Sequence, residues 1–292
     1  MPKQLPGPGE IFLDHTAFFV PQMESATAAL EACGFRLTPF TVQTNREGDK
    51  IVPSGTANRC AMLREGYIEL LTAMPSPIGD TPLGEQLRER IADHPGIHLA
   101  AFSTADAAAQ HRRLAAAGFP TLPLVDMRRP VGDDFARFSI ARIAHGTMPE
   151  GRAQFLTHHT EALVWLPDML DHRNGAEALD GLYIAADDTA EVAARYARFT
   201  GRPARGEGPA RAIELDRGWL VVSTPLSLRE SFGIAPQGSL PGFVAASVRV
   251  RELAAVERCL DVGGIDHHRF GDAAIVTNAP GSALIFHTHE DR

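Results

Sequence analysis

The 292-residue sequence lacks the features that mark several large classes of proteins. Its three cysteines, Cys33, Cys60 and Cys259, are odd in number and show no CxxC spacing, so neither a disulfide framework nor a zinc knuckle is expected. No apolar run approaches the roughly 20 residues of a membrane span. The N-terminus also lacks the apolar stretch of a secretory signal. These absences predict a soluble, cytoplasmic chain with reduced thiols and no membrane partner.

Positive charge and nucleotide-binding motifs are scarce as well. The formal net charge is −8 and no run of Lys and Arg exceeds two residues, so the clustered positive surface that nucleic acids require is not expected. The strings GxGxxG, GxSxG and HExxH and the P-loop are all absent, which argues against dinucleotide-binding proteins, serine hydrolases and zincins. The expected partner is therefore a small molecule, and a homodimer stays open.

What the sequence does contain is one unit repeated four times. Each copy opens with a β-rich run, continues into a helix that ends at a glycine, and closes with β-hairpins. The opening runs are 11–20, 96–103, 181–188 and 242–250, and the closing runs are 59–74, 152–160, 218–225 and 283–289. A further helix, capped by Thr81, joins the first two copies.

These repeats predict an α+β fold of four βαβββ modules that pair into two curved-sheet domains. We expect a flexible segment at 1–10, an N-terminal domain at 11–165, a polar linker at 166–180 and a C-terminal domain at 181–292.

Three short strings in the first module carry a family resemblance. They are Leu13-Asp14-His15 leading to Val20-Pro21, the string Gly55-Thr56-Ala57-Asn58, and the string Gly66-Tyr67-Ile68-Glu69-Leu70. With the repeated modules, they resemble the vicinal oxygen chelate (VOC) superfamily, which includes glyoxalase I, extradiol dioxygenases and bleomycin resistance proteins. The glyoxalase-like subgroup, typical of bacteria, is the most similar in the order and spacing of these strings. The resemblance covers nearly the whole chain and implies a divalent metal ion (Zn, Fe, Ni, Co or Mn) in the cleft of a curved sheet.

The resemblance also implies where metal ligands stand, on the first and last strands of each module. His15 and Glu69 hold these positions in the first module, and counting back from the helix-ending glycines places His98 and Gln154 there in the second. The two intervals, 54 and 56 residues, are nearly equal, as related modules predict. We therefore predict His15, Glu69 and His98 as metal ligands and Gln154 as a weak fourth. The alternative is that both histidines are merely buried and hydrogen-bonded and that the metal was lost.

Further residues are candidates for catalysis and binding. His158 shares the strand parity of Gln154 but lies about 13 Å along the strand, so we predict it as an acid or base at the cleft mouth, with Glu69 as the other candidate base. The predicted substrate-binding residues are Asn58, Arg59, Phe19, Tyr67 and Phe102. An inward-facing arginine among Arg59, Arg137, Arg142 and Arg152 would favour a carboxylate or phosphate on the substrate.

The C-terminal half offers no comparable ligands at its matching positions, which are Gly181 or Leu182, Trp219, Phe243 or Val244, and Leu284. His287 and His289 alternate on the last predicted strand and are expected at a solvated edge. We therefore expect the C-terminal half to be a scaffold. The predicted function is that of a metal-dependent glyoxalase-like lyase or isomerase acting on a small carbonyl compound. The alternatives are an extradiol-type dioxygenase and a non-catalytic binding or resistance protein.

Overall fold

The computed structural model describes residues 3–47, 50–75 and 81–288, which form two eight-stranded sheets flanked by helices. The strands of the N-terminal sheet are β1 (Ile11–Phe19), β2 (Thr41–Glu47), β3 (Lys50–Met62), β4 (Tyr67–Ala73), β5 (Gly96–Thr104), β6 (Thr121–Val131), β7 (Asp134–Ile143) and β8 (Arg152–His158). They lie side by side in the order β2-β3-β4-β1-β5-β8-β7-β6.

The C-terminal sheet repeats this arrangement. Its strands are β9 (Ala176–Ala185), β10 (Ala204–Arg205), β11 (Ala210–Glu214), β12 (Trp219–Ser223), β13 (Gly242–Val250), β14 (His268–Phe270), β15 (Ala273–Val276) and β16 (Ala283–His287). Their order is β10-β11-β12-β9-β13-β16-β15-β14, which matches the N-terminal order strand for strand.

Helices follow the first strand of each module and also cover the sheets. They are α1 (Met23–Ala32), α2 (Pro82–Asp93), α3 (Ala107–Ala116), α4 (Thr189–Thr200), α5 (Pro225–Phe232) and α6 (Leu253–Gly263). Within the described residues, no helix combines the length and apolarity needed to cross a bilayer.

In each sheet, the first strands of two modules pair antiparallel at the centre. β1 pairs with β5, and β4 and β8 flank them in parallel. β9 and β13 form the same centre in the C-terminal sheet, flanked by β12 and β16. This pairing confirms the predicted α+β fold of four βαβββ modules in two curved-sheet domains.

Strand alternation gives each sheet a helix-facing side and a concave side. The helix-facing sides of both sheets share one apolar core with α1, α3, α4 and α6. In this core the rings of Phe102, Phe155 and Phe199 pack with centroids 5.1–5.8 Å apart. The concave sides carry separate apolar clusters, which include Phe19 and Trp165 in the N-terminal sheet and Tyr183 in the C-terminal sheet.

Two segments cover the concave side of the N-terminal sheet. The first is α2, which begins as predicted: Thr81 accepts a hydrogen bond from the Gly84 N–H at 3.1 Å, and Leu87 is buried in the concave cluster. The second is the segment of two 3₁₀ turns, Glu161–Leu163 and Pro167–Met169, which buries Trp165. Because the edge strands β2 and β6 also lie against each other, the sheet is nearly closed into a barrel and its concave side is an interior.

Several local features differ from the sequence expectations. The second module's opening run was expected to end at 103, but β5 continues to Thr104, and Asp106 caps α3 by accepting from the Ala109 N–H at 2.9 Å. β9 begins at Ala176, inside the segment 166–180 that was expected to be a linker. In the N-terminal segment, which was expected to be flexible, the side chain of Gln4 is buried and donates to the carbonyl of Arg64.

Candidate functional site

Asp14 and His15 both lie on the concave side of the N-terminal sheet because β1 contains a bulge. Leu13 pairs with Phe102 and His15 with Ala101, so Asp14 is the extra residue. Strict alternation had placed Leu13 on the same face as His15, but Leu13 instead packs in the helix-facing core. The bulge therefore turns two consecutive polar side chains to the concave side.

The carboxylate of Asp14 joins two histidines. His15 donates from Nδ1 to Oδ1 of Asp14 at 2.7 Å, and His158 donates from Nε2 to Oδ2 at 2.8 Å. Burial alone would raise the pKa of Asp14, but the adjacent imidazoles of His158 and His15 outweigh it and hold the pKa well below its ordinary value. Asp14 is therefore an anion that fixes His15 with Nδ1 protonated and Nε2 directed into the cleft.

His158 closes this arrangement from the end of β8, where sequence reasoning had placed an acid or base at the cleft mouth. Its ring is buried instead, 4.8 Å from the ring of Trp165 and 5.1 Å from that of Phe138. Its Nε2 holds Asp14, and its Nδ1 is buried without a partner among the described residues.

Glu69 faces His15 across the cleft. Its Oε1 accepts hydrogen bonds from Asn58 Nδ2 at 2.6 Å and Gln43 Nε2 at 3.2 Å, while its Oε2 lies 4.0 Å from His15 Nε2. The hydroxyl of Thr56 donates to Gln43 Oε1 at 2.7 Å and so fixes the orientation of that amide. Sequence reasoning found His15, Glu69 and Asn58, but no motif or spacing pointed to Gln43.

The predicted substrate-binding residues divide between the two sides of the sheet. Tyr67 stacks on His15, with ring centroids 4.4 Å apart, and Phe19 belongs to the concave cluster, so both line the cleft together with Asn58. Phe102 lies in the helix-facing core, which removes it from the cleft. Arg59 pairs with Leu70 of that same core and alternates with Asn58, so it also faces away from the site.

His98 does not occupy the position equivalent to His15. Leu99 pairs with Ala17 and Ile97 with Phe18, so His98 is the extra residue of a second bulge. Its ring packs 5.4 Å from that of Phe19, and its Nε2 bonds the His94 carbonyl at 2.9 Å. His15 lies nineteen positions before Gly34, and nineteen positions before Gly118 is Leu99, so the prediction of His98 at this place was one residue out.

The register identifies the true equivalents of the first-module pair. His15 lies beside Tyr67, two residues before Glu69, and Leu99 lies beside Arg152, two residues before Gln154. Gln154 therefore matches Glu69 as predicted, whereas the match to His15 is the apolar Leu99.

Residues 13–200 match the family model described as a glyoxalase-like domain. The chain belongs to this glyoxalase-like family. No curated protein sequence matches the chain significantly.

Solved structures resemble this glyoxalase-like chain over nearly its whole length. A hypothetical protein from Staphylococcus aureus superposes with a TM-score of 0.68 at 11% identity, covering 96% of this chain and 100% of its own. A xylose isomerase-like TIM barrel/4-hydroxyphenylpyruvate dioxygenase fusion protein gives 0.61 at 13%, covering 99% of this chain and 50% of its own. A mutant of 4-hydroxymandelate synthase from Streptomyces coelicolor gives 0.52 at 12%, covering 95% and 92%. At such identities these similarities establish the VOC fold alone.

The donors predicted for a metal ion do not converge in this glyoxalase-like cleft. Ligands about 2.0–2.2 Å from one ion lie at most about 4.4 Å apart, so His15 Nε2 and Glu69 Oε2, at 4.0 Å, span such a gap. His98 points away, and Gln154 lies two strands from His15. Among the residues that the structure describes, no three His, Cys, Asp or Glu side chains are placed to share an ion. The predicted four-ligand site is thus reduced to two donors.

The C-terminal sheet places no such pair at its equivalent positions. The residues matching His15, Glu69, Leu99 and Gln154 are Gly181, Val221, Ala245 and Ile285. α5 covers this concave side, where Leu228 packs against small and branched apolar side chains. His287 is buried there, not at a solvated edge as predicted, and its partner in that prediction, His289, lies outside the described residues.

Proposed function

We propose that this glyoxalase-like chain is a lyase or isomerase that moves a proton on a small carbonyl compound, with His15 and Glu69 as the acid–base pair. The observation that supports the proposal is the 4.0 Å separation of His15 Nε2 and Glu69 Oε2 inside a nearly closed sheet. Hydrogen bonds hold each member on its far side, His15 by Asp14 and Glu69 by Asn58. Such fixed pairs suit proton transfer because both groups meet the substrate without rearranging.

In the proposed reaction, the carbonyl oxygen of the substrate meets Nε2 of protonated His15, and the hydrogen on the neighbouring carbon meets Oε2 of Glu69. Glu69 takes this proton, the C–H electron pair forms the enol double bond, and His15 gives its Nε2 proton to the oxygen. The carboxylate of Asp14 stabilises the imidazolium before the transfer. In an α-hydroxycarbonyl substrate, return of the proton from Glu69 to the other carbon of the enediol, while His15 takes up a hydroxyl proton, completes the isomerisation.

The proposed reaction uses no metal ion because the positions of the side-chain donor atoms do not support one. Catalytic zinc sites in proteins generally have three protein ligands, and among the predicted ligands in the described residues only His15 and Glu69 face each other. The metal-dependent reaction predicted from the sequence therefore needs a third donor, which the described residues do not supply.

Deuterium exchange tests the proposal directly. The wild type, Glu69→Gln and His15→Gln are incubated in D₂O with dihydroxyacetone, hydroxypyruvate or dihydroxyacetone phosphate, and loss of the carbon-bound proton signal is followed by NMR. We expect the wild type to accelerate exchange at least about 100-fold over both variants, the usual range for general acid–base groups. His159→Gln, at an exposed position beside β8, is the matched control and should behave as wild type.

Two results would contradict the proposal. One is the absence of accelerated exchange with all three compounds. The other is unchanged exchange in Glu69→Gln. Saturable binding of these compounds without exchange would instead indicate the non-catalytic binding protein. Oxygen consumption with a catechol, measured with added ferrous iron, would indicate the dioxygenase alternative.

A further inference from the structure

Two arginines lie together on the concave side of the N-terminal sheet. Arg142 of β7 pairs with Gln154 of β8, and Arg152 stands two residues before Gln154 on the same strand. Diagonal neighbours of this kind lie within reach of each other when their side chains are long. Both alternate with residues of the helix-facing core, Ile143 and Ala153, so both guanidinium groups belong to the cleft side.

Neither guanidinium is matched by a carboxylate. Arg152 donates to Gln86 Oε1, and Arg142 donates to the Pro123 carbonyl at 3.4 Å, and no ion pair to either is found among the described residues. The Nε atom of each is buried without a partner in the same part of the chain. Burial, followed by the adjacent charge of Arg142, lowers the pKa of Arg152 to about 10, so both remain cations near neutral pH. Two partly buried like charges are unfavourable unless an anion joins them.

A crevice lies in front of these groups. Its lining includes Arg142, Arg152, Gln154, Gln86 and His145. Glu89 lies at the exposed rim, where its Oε2 is 4.0 Å from His145 Nε2. The interior of the crevice therefore presents guanidinium and amide donors, the groups that bind carboxylate and phosphate oxygens.

The crevice and the His15–Glu69 pair belong to neighbouring parts of the same sheet. His15, Ala101 and Gln154 lie in register across three neighbouring strands, so His15 and Gln154 are separated by two strand spacings, about 10 Å. A substrate that binds at both places therefore has to span most of this distance between its carbonyl and its anionic group.

We propose that Arg142 and Arg152, together with the Gln154 amide, form an anion subsite that binds the carboxylate or phosphate of a small substrate. That the bound anion belongs to the substrate rests on the proposed function, whereas anion binding by the crevice does not.

The test measures binding apart from turnover. Isothermal titration calorimetry at low ionic strength, with oxamate as the carboxylate probe and inorganic phosphate as the phosphate probe, compares the wild type with Arg142→Ala and Arg152→Ala. We expect each variant to bind the preferred anion at least tenfold more weakly. The two probes show whether the site favours the planar or the tetrahedral anion.

Gln154→Glu is the variant that keeps both arginines. It supplies an internal carboxylate to the two guanidinium groups, so we expect anion binding to be lost while the melting temperature stays equal or rises. Gln22→Glu, at an exposed position before α1, adds the same charge elsewhere and should bind the anions as wild type does.

Several outcomes separate this proposal from the proposed function. If the variants lose anion binding but no compound exchanges protons, the subsite stands and the reaction does not. If dihydroxyacetone exchanges as well as hydroxypyruvate and dihydroxyacetone phosphate, and neither probe binds, the reaction stands and the subsite is wrong. Unchanged anion affinity in Gln154→Glu would also overturn the subsite.

Discussion

Asp14 and Asp180 are the extra residues of equivalent β-bulges in the two sheets, and each binds a histidine of the last strand of its sheet. Leu13 and His15 pair with adjacent residues of β5, as Leu179 and Gly181 do with adjacent residues of β13. His158 Nε2 lies 2.8 Å from Asp14 Oδ2, and His287 Nε2 lies 2.7 Å from Asp180 Oδ2.

The Asp–His link is therefore part of the architecture of both halves. What distinguishes the N-terminal half is the next residue, which is His15 there and Gly181 in the C-terminal half. In the N-terminal half the same carboxylate thus orients the imidazole of His15, which is the acid of the proposed reaction.

Asp14→Asn and Asp180→Asn form a matched pair that separates these two roles. In Asp14→Asn, the neutral amide no longer stabilises the imidazolium of His15, so we expect proton exchange to fall at least 100-fold. Asp180→Asn should leave exchange unchanged. Urea unfolding should show a loss of about 3 kcal/mol for the fully buried Asp14 and about 1 kcal/mol or less for the partly exposed Asp180.

A purely structural Asp14 would give a different pattern. The pH profile of exchange should shift in Asp14→Asn, and Asp14→Glu should restore part of the rate. If the folded fraction of Asp14→Asn exchanges protons with the wild-type rate and pH profile, Asp14 does not position His15.

His98 should make stability depend on pH. Burial holds its pKa at about 4, against an ordinary value of 6.5. The unfolded chain therefore binds a proton at higher pH than the folded chain, so stability is complete above about pH 7 and falls as the pH drops toward 4. Between pH 7.5 and 5 this contribution should be roughly 2 kcal/mol. Urea unfolding at both pH values should show that His98→Gln loses less unfolding free energy on acidification than wild type does. His159→Gln removes an exposed histidine, so it should lose as much unfolding free energy as wild type.

Glu150 should contribute strongly to the junction between the two halves. It lies in the loop before β8, and its buried carboxylate accepts two hydrogen bonds from Arg195 of α4, at 2.7 and 2.8 Å. Glu150→Gln leaves the Arg195 charge with less compensation, so we expect a loss of about 3 kcal/mol in unfolding free energy. Glu191→Gln removes the exposed partner of the same arginine and should change stability by less than about 0.5 kcal/mol. Equal effects of the two substitutions would contradict this view of the junction.

The sequence was sufficient to predict the four modules but not the geometry of the site. Apolar alternation and helix-ending glycines repeat four times and are visible without a structure, and together with the family resemblance they led to His15 and Glu69. A bulge adds one residue without any sequence signature, and it reverses the face of every residue beyond it. For that reason the place of Asp14 on the concave side was missed.

The arginine crevice was only partly predictable for a related reason. Strand parity placed Arg142 and Arg152 among four candidate arginines, but the neighbours that decide their role come from other segments. α2 lies far away in sequence and contributes Gln86, and the loop before β8 contributes His145. Such convergence depends on tertiary packing, and parity along a single strand carries no information about it.

The last prediction concerns metal. His15 and Glu69 are the only facing donors that the described part of the chain provides, so a divalent ion there would be held by two protein ligands, one fewer than in catalytic zinc sites. We therefore expect elemental analysis to find the same low metal content in wild type, His15→Ala and Glu69→Ala. We also expect prolonged dialysis against EDTA to leave the exchange rate within twofold of the untreated protein, because the proposed proton transfer needs only the two side chains. A near-stoichiometric metal in wild type that is lost in both variants would show that a third donor joins the pair, and would restore the metal-dependent mechanism that the sequence first suggested.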